Sequence, residues 1–196
     1  MSLARPPSGL PGVRYGAVVR HVDDRGSFRE LWRTGDGPSF VQVNLSTSAA
    51  GVLRGLHLHQ HQLDYWVVAS GHVFLALVDV RPLLDGSESA PTVETRELDA
   101  DDWVVIPEGV AHGFLALEPL QLLYLVTNLY DGSDELGFAW DDPAVGVPWP
   151  DQPPARSRAD AGSEAHGGPL RPIVSERDAT NPPLADLVAR IRAQEA

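Results

Sequence analysis

The sequence of 196 residues contains no cysteine and no lysine, so that all 15 basic residues are arginine. The absence of cysteine excludes disulfide frameworks, thiolate zinc sites and cysteine nucleophiles. The absence of lysine excludes Schiff-base catalysis, a P-loop lysine and any ammonium group that would stabilise negative charge. A cationic side chain that contacts a substrate must therefore be an arginine or a histidine.

Positive charge is in deficit over the whole chain, whose formal net charge is -12 at pH 7. Binding to nucleic acid requires clustered positive charge against the phosphates, and the sequence shows no such cluster. We therefore expect no nucleic-acid partner, although a small anion could bind where arginines converge.

Long apolar runs are missing as well. No stretch reaches about 18 consecutive apolar residues, and the N-terminal MSLARPPSGLPGVRYG has no apolar segment like that of a signal peptide. The sequence therefore predicts no membrane partner and a cytoplasmic location.

Short runs of β-branched and aromatic residues, separated by Gly, Pro and Asp, fill residues 16 to 130. The runs are GAVVRHV, SFVQVNLSTS, DYWVVASGHVFLALVDVR, TVETRELD, DWVVIPEG, HGFLALE and LQLLYLVTNLY. Many short strands at close spacing predict an all-β sandwich or small barrel. Gly71, between WVVAS and HVFLALVDV, is expected to join two of these strands as a hairpin.

Two C-terminal segments differ from this pattern. Residues 150–170 are rich in Pro, Gly, Ala, Ser and charge without periodicity, which predicts a flexible insertion that carries no chemistry, His166 included. The tail LADLVARIRAQEA has apolar residues at 184, 187, 188 and 191, a spacing that predicts one face of a short helix. We expect one domain over residues 1–196.

The stretch RGLHLHQHQLD, residues 54–64, places histidines at alternate positions and follows them with a carboxylate. In a strand, His57, His59 and His61 would project to the same side, which in a barrel can be the interior. The alternative is a solvated outer face, and spacing within this stretch alone leaves both open.

The wider spacing resembles two cupin motifs in the right order. The residues that match the first motif, with Asp in place of the usual Glu, are Gly51, His57, His59, Asp64 and Gly71. The residues that match the second are Pro107, Gly109 and His112. The second motif is incomplete, because its opening Gly is Asp101 and its closing Asn is Ala116. The resemblance implies a cupin, or jelly-roll, β-barrel with a short C-terminal helix.

In metal-dependent cupins the matching residues bind one divalent ion; here they are His57, His59, Asp64 and His112. Imidazole and carboxylate donors suit Mn, Fe, Ni, Cu or Zn, and the ligand set does not choose among them.

Seven blocks, in order along the chain, carry a longer resemblance. They are DDRGSFRE (23–30), VQVNLSTSAAGVLRGLH (41–57), PEGVAHGFLAL (107–117), YLVTNLY (124–130), FAWDDP (138–143), VPWP (147–150) and VSERD (174–178). Together they are similar to the dTDP-4-dehydrorhamnose 3,5-epimerase family, whose members are cupin barrels. The similarity runs from about residue 12 to 190 and is interrupted by the insertion.

This resemblance implies an activity in deoxysugar biosynthesis. A proton is removed from a carbon next to the keto group of a nucleotide-linked 4-keto-6-deoxy sugar and returned on the other face, with no metal or redox cofactor expected. Such chemistry needs a base, an acid opposite it and a group that holds the enolate oxygen. By position, the resemblance implies His57 as the base, Asp178 as the carboxylate that orients and charges it, and Tyr130 as the proton donor.

The resemblance also implies residues that bind the nucleotide sugar. Those expected to line the sugar site are Gln42, Asn44, Arg54 and His112. Arg25 is implied at the diphosphate, where a guanidinium suits phosphate oxygens, and Phe28 and Glu30 at the nucleotide end. Taken singly, Arg25 and Glu30 could form an exposed strand pair, and Asp178 could cap a turn. The family further implies a homodimer in which N-terminal strands cross between subunits.

The chain departs from the family pattern at two positions beside the implied base. Family members usually carry lysine on the strand after RGLH, where it helps to stabilise the enolate, and Asp64 stands at that position here. The residue two after His57, commonly Gln, is His59. Both changes move the sequence toward the cupin metal pattern.

Three interpretations follow from these departures. One is an epimerase, in which a metal could supply the Lewis-acid role of the missing lysine. The second is a metal-dependent cupin enzyme, such as a dioxygenase or isomerase, and the third is a binding protein in which Asp64 pairs with Arg54 or His59. A histidine bound to metal cannot also be the base, so that the metal and base roles exclude each other at His57.

Overall fold

The computed structural model describes residues 3–33, 35, 37–132, 134–150 and 172–195. The predicted insertion therefore lies outside the described residues except for Pro150, and His166 lies outside them too. The strands are β1 Leu3–Ala4, β2 Arg14–Ala17, β3 Arg20–Asp23, β4 Gly26–Arg29, β5 Gln42–Ser48, β6 Leu53–Leu58, β7 Asp64–Ser70, β8 His72–Asp79, β9 Thr92–Asp99, β10 Asp102–Ile106, β11 Val110–Ala116, β12 Leu120–Val126 and β13 Leu136–Gly137. The helices are α1 Arg81–Leu84, α2 Glu176–Ala179 and α3 Leu184–Glu195. Among the described helices, none is long and apolar enough to cross a membrane.

The strands form two antiparallel sheets that face each other. One sheet has the order β1-β2-β10-β7-β12-β5 and the other the order β13-β6-β11-β8-β9, while β3 and β4 pair as a separate ribbon. This arrangement confirms the all-β, jelly-roll prediction, and the short runs found in the sequence correspond to strands.

The space between the sheets is filled by alternate residues of each strand. Val73, Leu75 and Leu77 of β8 pack there with Trp66 and Val68 of β7. The intervening residues of these strands face outward, as expected from the twofold alternation of side chains in a strand. The outward-facing Ala76 and Val78 of β8 are buried as well, so that the β6-containing sheet is buried on both faces.

The outer face of this sheet is covered by α3. Leu184, Leu187 and Ile191 of the helix are buried in one cluster with Leu56 and Leu58 of β6. This confirms the apolar face predicted for the C-terminal helix. Because Leu56 and Leu58 point outward to α3, the alternating residue His57, and His59 just beyond the strand, point inward between the sheets.

Gly71 does not form the predicted hairpin. It has a φ of +96° and lies between β7 and β8, but these strands belong to different sheets. A Cβ built at Gly71 would stand 2.4 Å from the carbonyl oxygen of Pro119. The glycine is needed because the chain crosses from one sheet to the other against another backbone, not because two paired strands reverse there.

Candidate functional site

One end of the barrel contains a cavity of about 350 Å³ between the sheets. Its walls come from β5, β6, β7, β11 and β12 and from the loop after β12. The polar and ionisable residues of the lining are Gln42, Asn44, Ser46, Arg54, His57, His59, Gln62, Asp64, His112, Tyr124, Tyr130 and Glu135. The structure thus brings together eight residues that the sequence nominated: Gln42, Asn44, Arg54, His57, His59, Asp64, His112 and Tyr130.

The approach of β6 to β11 places two of the histidines side by side. His57 and His112 are register partners across these strands. A Cβ at Gly55 would stand 2.6 Å from the Cα of Gly113, so that the two backbones come closer than any larger residue would allow. The glycines of RGLH and AHGF therefore have a packing role that sets the spacing of the site.

His57 is paired with Asp178. Its Nε2 lies 2.8 Å from the Asp178 Oδ1, and the carboxylate is buried with only 4% of its surface exposed. Asp178 comes from α2, whose first turn is capped by Ser175, and the backbone N–H of Gly55 donates to the second carboxylate oxygen at 3.4 Å. The structure thus brings into contact the two residues that the resemblance paired.

The environment of Asp178 keeps its carboxyl ionised. Burial raises its pKa, but the hydrogen bond and charge of His57, together with bonds from Gly55 and Ser175, outweigh this and lower the pKa below its ordinary value. An ionised carboxylate only accepts hydrogen bonds, so Nε2 of His57 is the donor in this contact. In the neutral imidazole the lone pair is then on Nδ1.

Tyr130 lies in the loop after β12 at the mouth of the cavity, with 65% of its surface exposed. Its backbone N–H donates to Oε1 of Gln42 at 3.0 Å. A hydrogen bond with Glu135 raises the pKa of the Tyr130 phenol, so that the hydroxyl keeps its proton at neutral pH. Glu135 in turn is paired with Arg177 at 2.6 Å.

Glu135 is a site residue that the sequence interpretation missed. It stands five positions after Tyr130 in DGSDELG, an irregular loop in which no periodicity marks one carboxylate above its neighbours. Its role is visible only from its contacts with the phenol and with Arg177, a neighbour of Asp178 in the chain.

A second cluster in the same cavity is formed by His59, Asp64 and His112, whose potential ligand atoms all lie within 4.8 Å of one another. Asp64 accepts hydrogen bonds from Nε2 of Gln62 at 2.7 Å and from Nε1 of Trp66 at 3.0 Å. Burial raises the pKa of Asp64, whereas burial lowers the pKa of His112 well below its ordinary value.

The structure corrects the metal hypothesis in its choice of ligands. His57 is not a member of this cluster, and its Nε2 is paired with Asp178. His61 is exposed and lies outside the lining, since β6 ends at Leu58 and the chain turns before it. The suggested pair of Asp64 with Arg54 is also absent among the described contacts, where Nε of Arg54 donates to Oγ of Ser48 at 3.2 Å.

Three predicted substrate-binding residues lie outside the cavity of their own chain. Arg25 and Phe28 belong to the ribbon of β3 and β4, where Arg25 pairs with Asp23 at 2.5 Å and Phe28 is 67% exposed. Glu30 follows β4 and pairs with Arg33 at 2.5 Å. Because the ribbon pairs with neither main sheet, its residues do not reach the cavity within one chain.

Comparisons with known proteins agree with one another. The sequence model of the family "dTDP-4-dehydrorhamnose 3,5-epimerase" matches residues 7–186. The dTDP-4-dehydrorhamnose 3,5-epimerase of Mycobacterium tuberculosis is 36% identical over 194 residues, which cover 92% of this chain and 87% of the relative. The solved structure of the Mycobacterium tuberculosis rmlC epimerase is similar with a TM-score of 0.76 and 32% identity, covering 98% of this chain and 92% of that one. RmlC of Legionella pneumophila, solved in complex with dTDP-4-keto-L-rhamnose, gives a TM-score of 0.74 at 25% identity and covers 97% of this chain and 96% of its own.

Proposed function

The chain belongs to the dTDP-4-dehydrorhamnose 3,5-epimerase family, and from this membership we propose that its catalytic residues are His57, Asp178 and Tyr130. The enzyme is an isomerase that epimerises a dTDP-linked 4-keto-6-deoxy sugar. The observation that carries the assignment is the 2.8 Å hydrogen bond between His57 and the buried Asp178, in a cavity that Tyr130 also lines. The metal-dependent cupin enzyme is not favoured as an alternative function.

The reaction moves one proton off a carbon and another onto it. Nδ1 of His57 takes the proton from the carbon next to the keto group, and the electrons of the broken C–H bond pass to the keto oxygen as an enolate. Asp178 stabilises the imidazolium that forms, because its negative charge lies within hydrogen-bond distance of Nε2. Tyr130 then donates its phenolic proton to the same carbon from the opposite face, which inverts the configuration.

The polar residues of the cavity are expected to bind the sugar. Arg54 is the arginine among the described lining residues, and Gln42 and Asn44 hold each other through a 2.9 Å hydrogen bond. One proton passes from the sugar to His57 and the other from Tyr130 to the sugar, with no change of oxidation state, so the transfers themselves need no redox cofactor. That no cofactor is required stays a prediction, as does a cytoplasmic location.

Solvent deuterium tests this function. The purified protein is incubated with dTDP-4-keto-6-deoxyglucose in heavy water, and proton NMR follows the signals at C3 and C5. We expect loss of signal at one or both carbons, because in heavy water the Tyr130 hydroxyl carries a deuteron, which it delivers to the carbon in place of the proton that was removed. A folded protein that leaves both signals intact would reject the proposed function.

A Tyr130→Phe substitution separates the two proton transfers. The base is intact in this variant, so deuterium should still enter the sugar, but formation of the inverted product should fall by at least about tenfold, since the acid is missing. The measurement is the ratio of exchanged substrate to epimerised product by NMR. Unchanged inversion would show that another group donates the proton.

We propose a homodimer in which the ribbon of β3 and β4 reaches the partner subunit. Val22 and Phe28 on the ribbon are exposed, and so are Val41, Val43 and Leu45 at the β5 edge of the sheet. An exposed apolar strip of this kind is typical of an interaction surface. Arg25 and Phe28 would then serve the nucleotide end of the partner's cavity.

Mixed dimers test the placement of Arg25. Chains with Arg25→Ala and chains with His57→Asn are each expected to be nearly inactive, the first because the diphosphate loses its guanidinium. Equal mixing should restore about a quarter of the wild-type activity, because half of the dimers are mixed and each then holds one intact site. Absence of recovery, with dimers verified by light scattering, would place Arg25 at the site of its own chain or at none.

A further inference from the structure

The cluster of His59, Asp64 and His112 takes no part in the proton transfers described above, although it lines the same cavity. Nε2 of His112 lies 3.6 Å from Oδ2 of Asp64, and the potential ligand atoms of all three residues are within 4.8 Å of one another. Bonds of about 2.0–2.2 Å from a divalent transition metal to nitrogen and oxygen place two ligands of one ion about 3–4 Å apart. The cluster therefore needs side-chain movements on the order of 1 Å to enclose an ion.

Both histidines offer the same ring nitrogen to the cluster. Nδ1 of His59 lies 2.6 Å from the carbonyl oxygen of Asp134, and Nδ1 of His112 lies 3.3 Å from that of Val110. A carbonyl oxygen can only accept, so each Nδ1 carries the proton and each Nε2 keeps a lone pair. This is the arrangement of a histidine that binds metal, whose second nitrogen donates to a carbonyl or carboxylate.

Asp64 is held as an acceptor inside the protein. It is only 3% exposed, and the donors Gln62 and Trp66 fix its two oxygens. In the part of the chain that the structure describes, its ion pairs are confined to the 3.6 Å contact with His112, and no arginine reaches it. A cation beside a buried carboxylate offsets the loss of its hydration and keeps it ionised.

We propose that His59, Asp64 and His112 bind one divalent transition-metal ion inside the sugar cavity. Two imidazoles and one carboxylate leave coordination positions open toward a substrate, and they are donors that suit Zn, Fe, Co or Mn. The ion is separate from His57, which keeps its bond to Asp178 and its function as the base. Metal binding depends on these three residues alone. We further infer that the ion places a positive charge beside the keto oxygen, where the family has lysine, and this role rests on the proposed function.

Cobalt binding tests the site directly. Full-length protein is dialysed against a chelator, titrated with Co²⁺, and assayed for bound metal by elemental analysis and for visible absorption of the coordinated ion. We expect one Co²⁺ per chain. His59→Asn and Asp64→Asn should each weaken binding by at least about 100-fold, because loss of even an outer partner of a ligand costs about 10–100-fold.

Two further variants serve as controls. His61→Asn alters an exposed histidine two residues from His59 and should bind Co²⁺ as the wild type does. His57→Asn should also bind it, which distinguishes the three-residue site from one that includes His57. A folded wild type that binds no stoichiometric Co²⁺, or retention of full affinity in both His59→Asn and Asp64→Asn, would overturn the proposal.

Deuterium exchange on the same samples keeps the two proposals apart. Bound Co²⁺ without exchange at C3 or C5 would leave the metal site standing and reject the proposed function. Exchange that is equally fast with and without the ion would support the proposed function and overturn the ion's role beside the keto oxygen. Exchange that falls at least tenfold on chelation and returns with metal would support both.

Discussion

Replacement of His57 by asparagine is expected to lower deuterium incorporation into the keto sugar by about 10³-fold, because the variant lacks the imidazole that takes the proton. Asparagine is close to histidine in size and leaves the register of β6 with β11 unchanged. The assay is proton NMR of the sugar in heavy water at equal concentrations of the two proteins. Binding of dTDP, measured by calorimetry, should change little, since the base contacts the sugar and not the nucleotide.

A matched control is available close by. His61→Asn removes an imidazole that is exposed and outside the lining of the cavity, and it should exchange deuterium at the wild-type rate. If His57→Asn retained exchange, the proton would have to be taken by a different residue of the cavity. His59 would be the first to examine, because it is the other histidine on this side of β6.

Asp178→Asn is the second substitution with a large expected effect. Asparagine can donate a hydrogen bond from its amide to Nε2 of His57, which would move the ring proton to Nδ1 and remove the lone pair that acts as base. We expect kcat to fall by about 10²–10³-fold with little change in KM, because Asp178 contacts His57 and not the substrate.

Glu176→Gln is the control for this variant. It lies in the same short helix, is exposed, and should leave both constants near their wild-type values. A rise in KM with an unchanged kcat in Asp178→Asn would contradict the positioning role. Equal thermal denaturation of the two variants would confirm that the loss is chemical and not a failure to fold.

Local patterns in the sequence were sufficient for the strands and for the C-terminal helix. The apolar spacing of residues 184, 187 and 191 predicts the face that α3 buries, and the alternation in RGLHLH predicts that His57 and His59 share a side. The hairpin predicted at Gly71 is wrong, because the local sequence around a glycine between two strands is the same whether the strands pair or belong to different sheets. The close contact of Gly71 with Pro119 depends on long-range packing that no local pattern contains.

Eight of the residues that line the cavity are predicted from the sequence, but their division into two clusters is not. One motif, defined by spacing, includes His57, His59, Asp64 and His112. Spacing does not determine which residue each of these side chains contacts. The chain places Asp178 against His57 and leaves the other three together. Likewise, the segment DDRGSFRE predicts that Arg25 binds a phosphate, but it does not indicate that the ribbon lies apart from the cavity of its own chain.

The contact of His57 with Asp178 joins residues 121 positions apart in sequence. Strands β1 to β13 all precede α2, so a ribosome releases both sheets before it releases the carboxylate that orients the base. The segment that carries Asp178 reaches the barrel through backbone hydrogen bonds of Ile173 with Gly51 and Leu53, at 2.8 and 2.9 Å. Because domains fold as the chain emerges, the barrel can close around its cavity first. A newly made chain therefore acquires its paired base only after the strands of both sheets have been released.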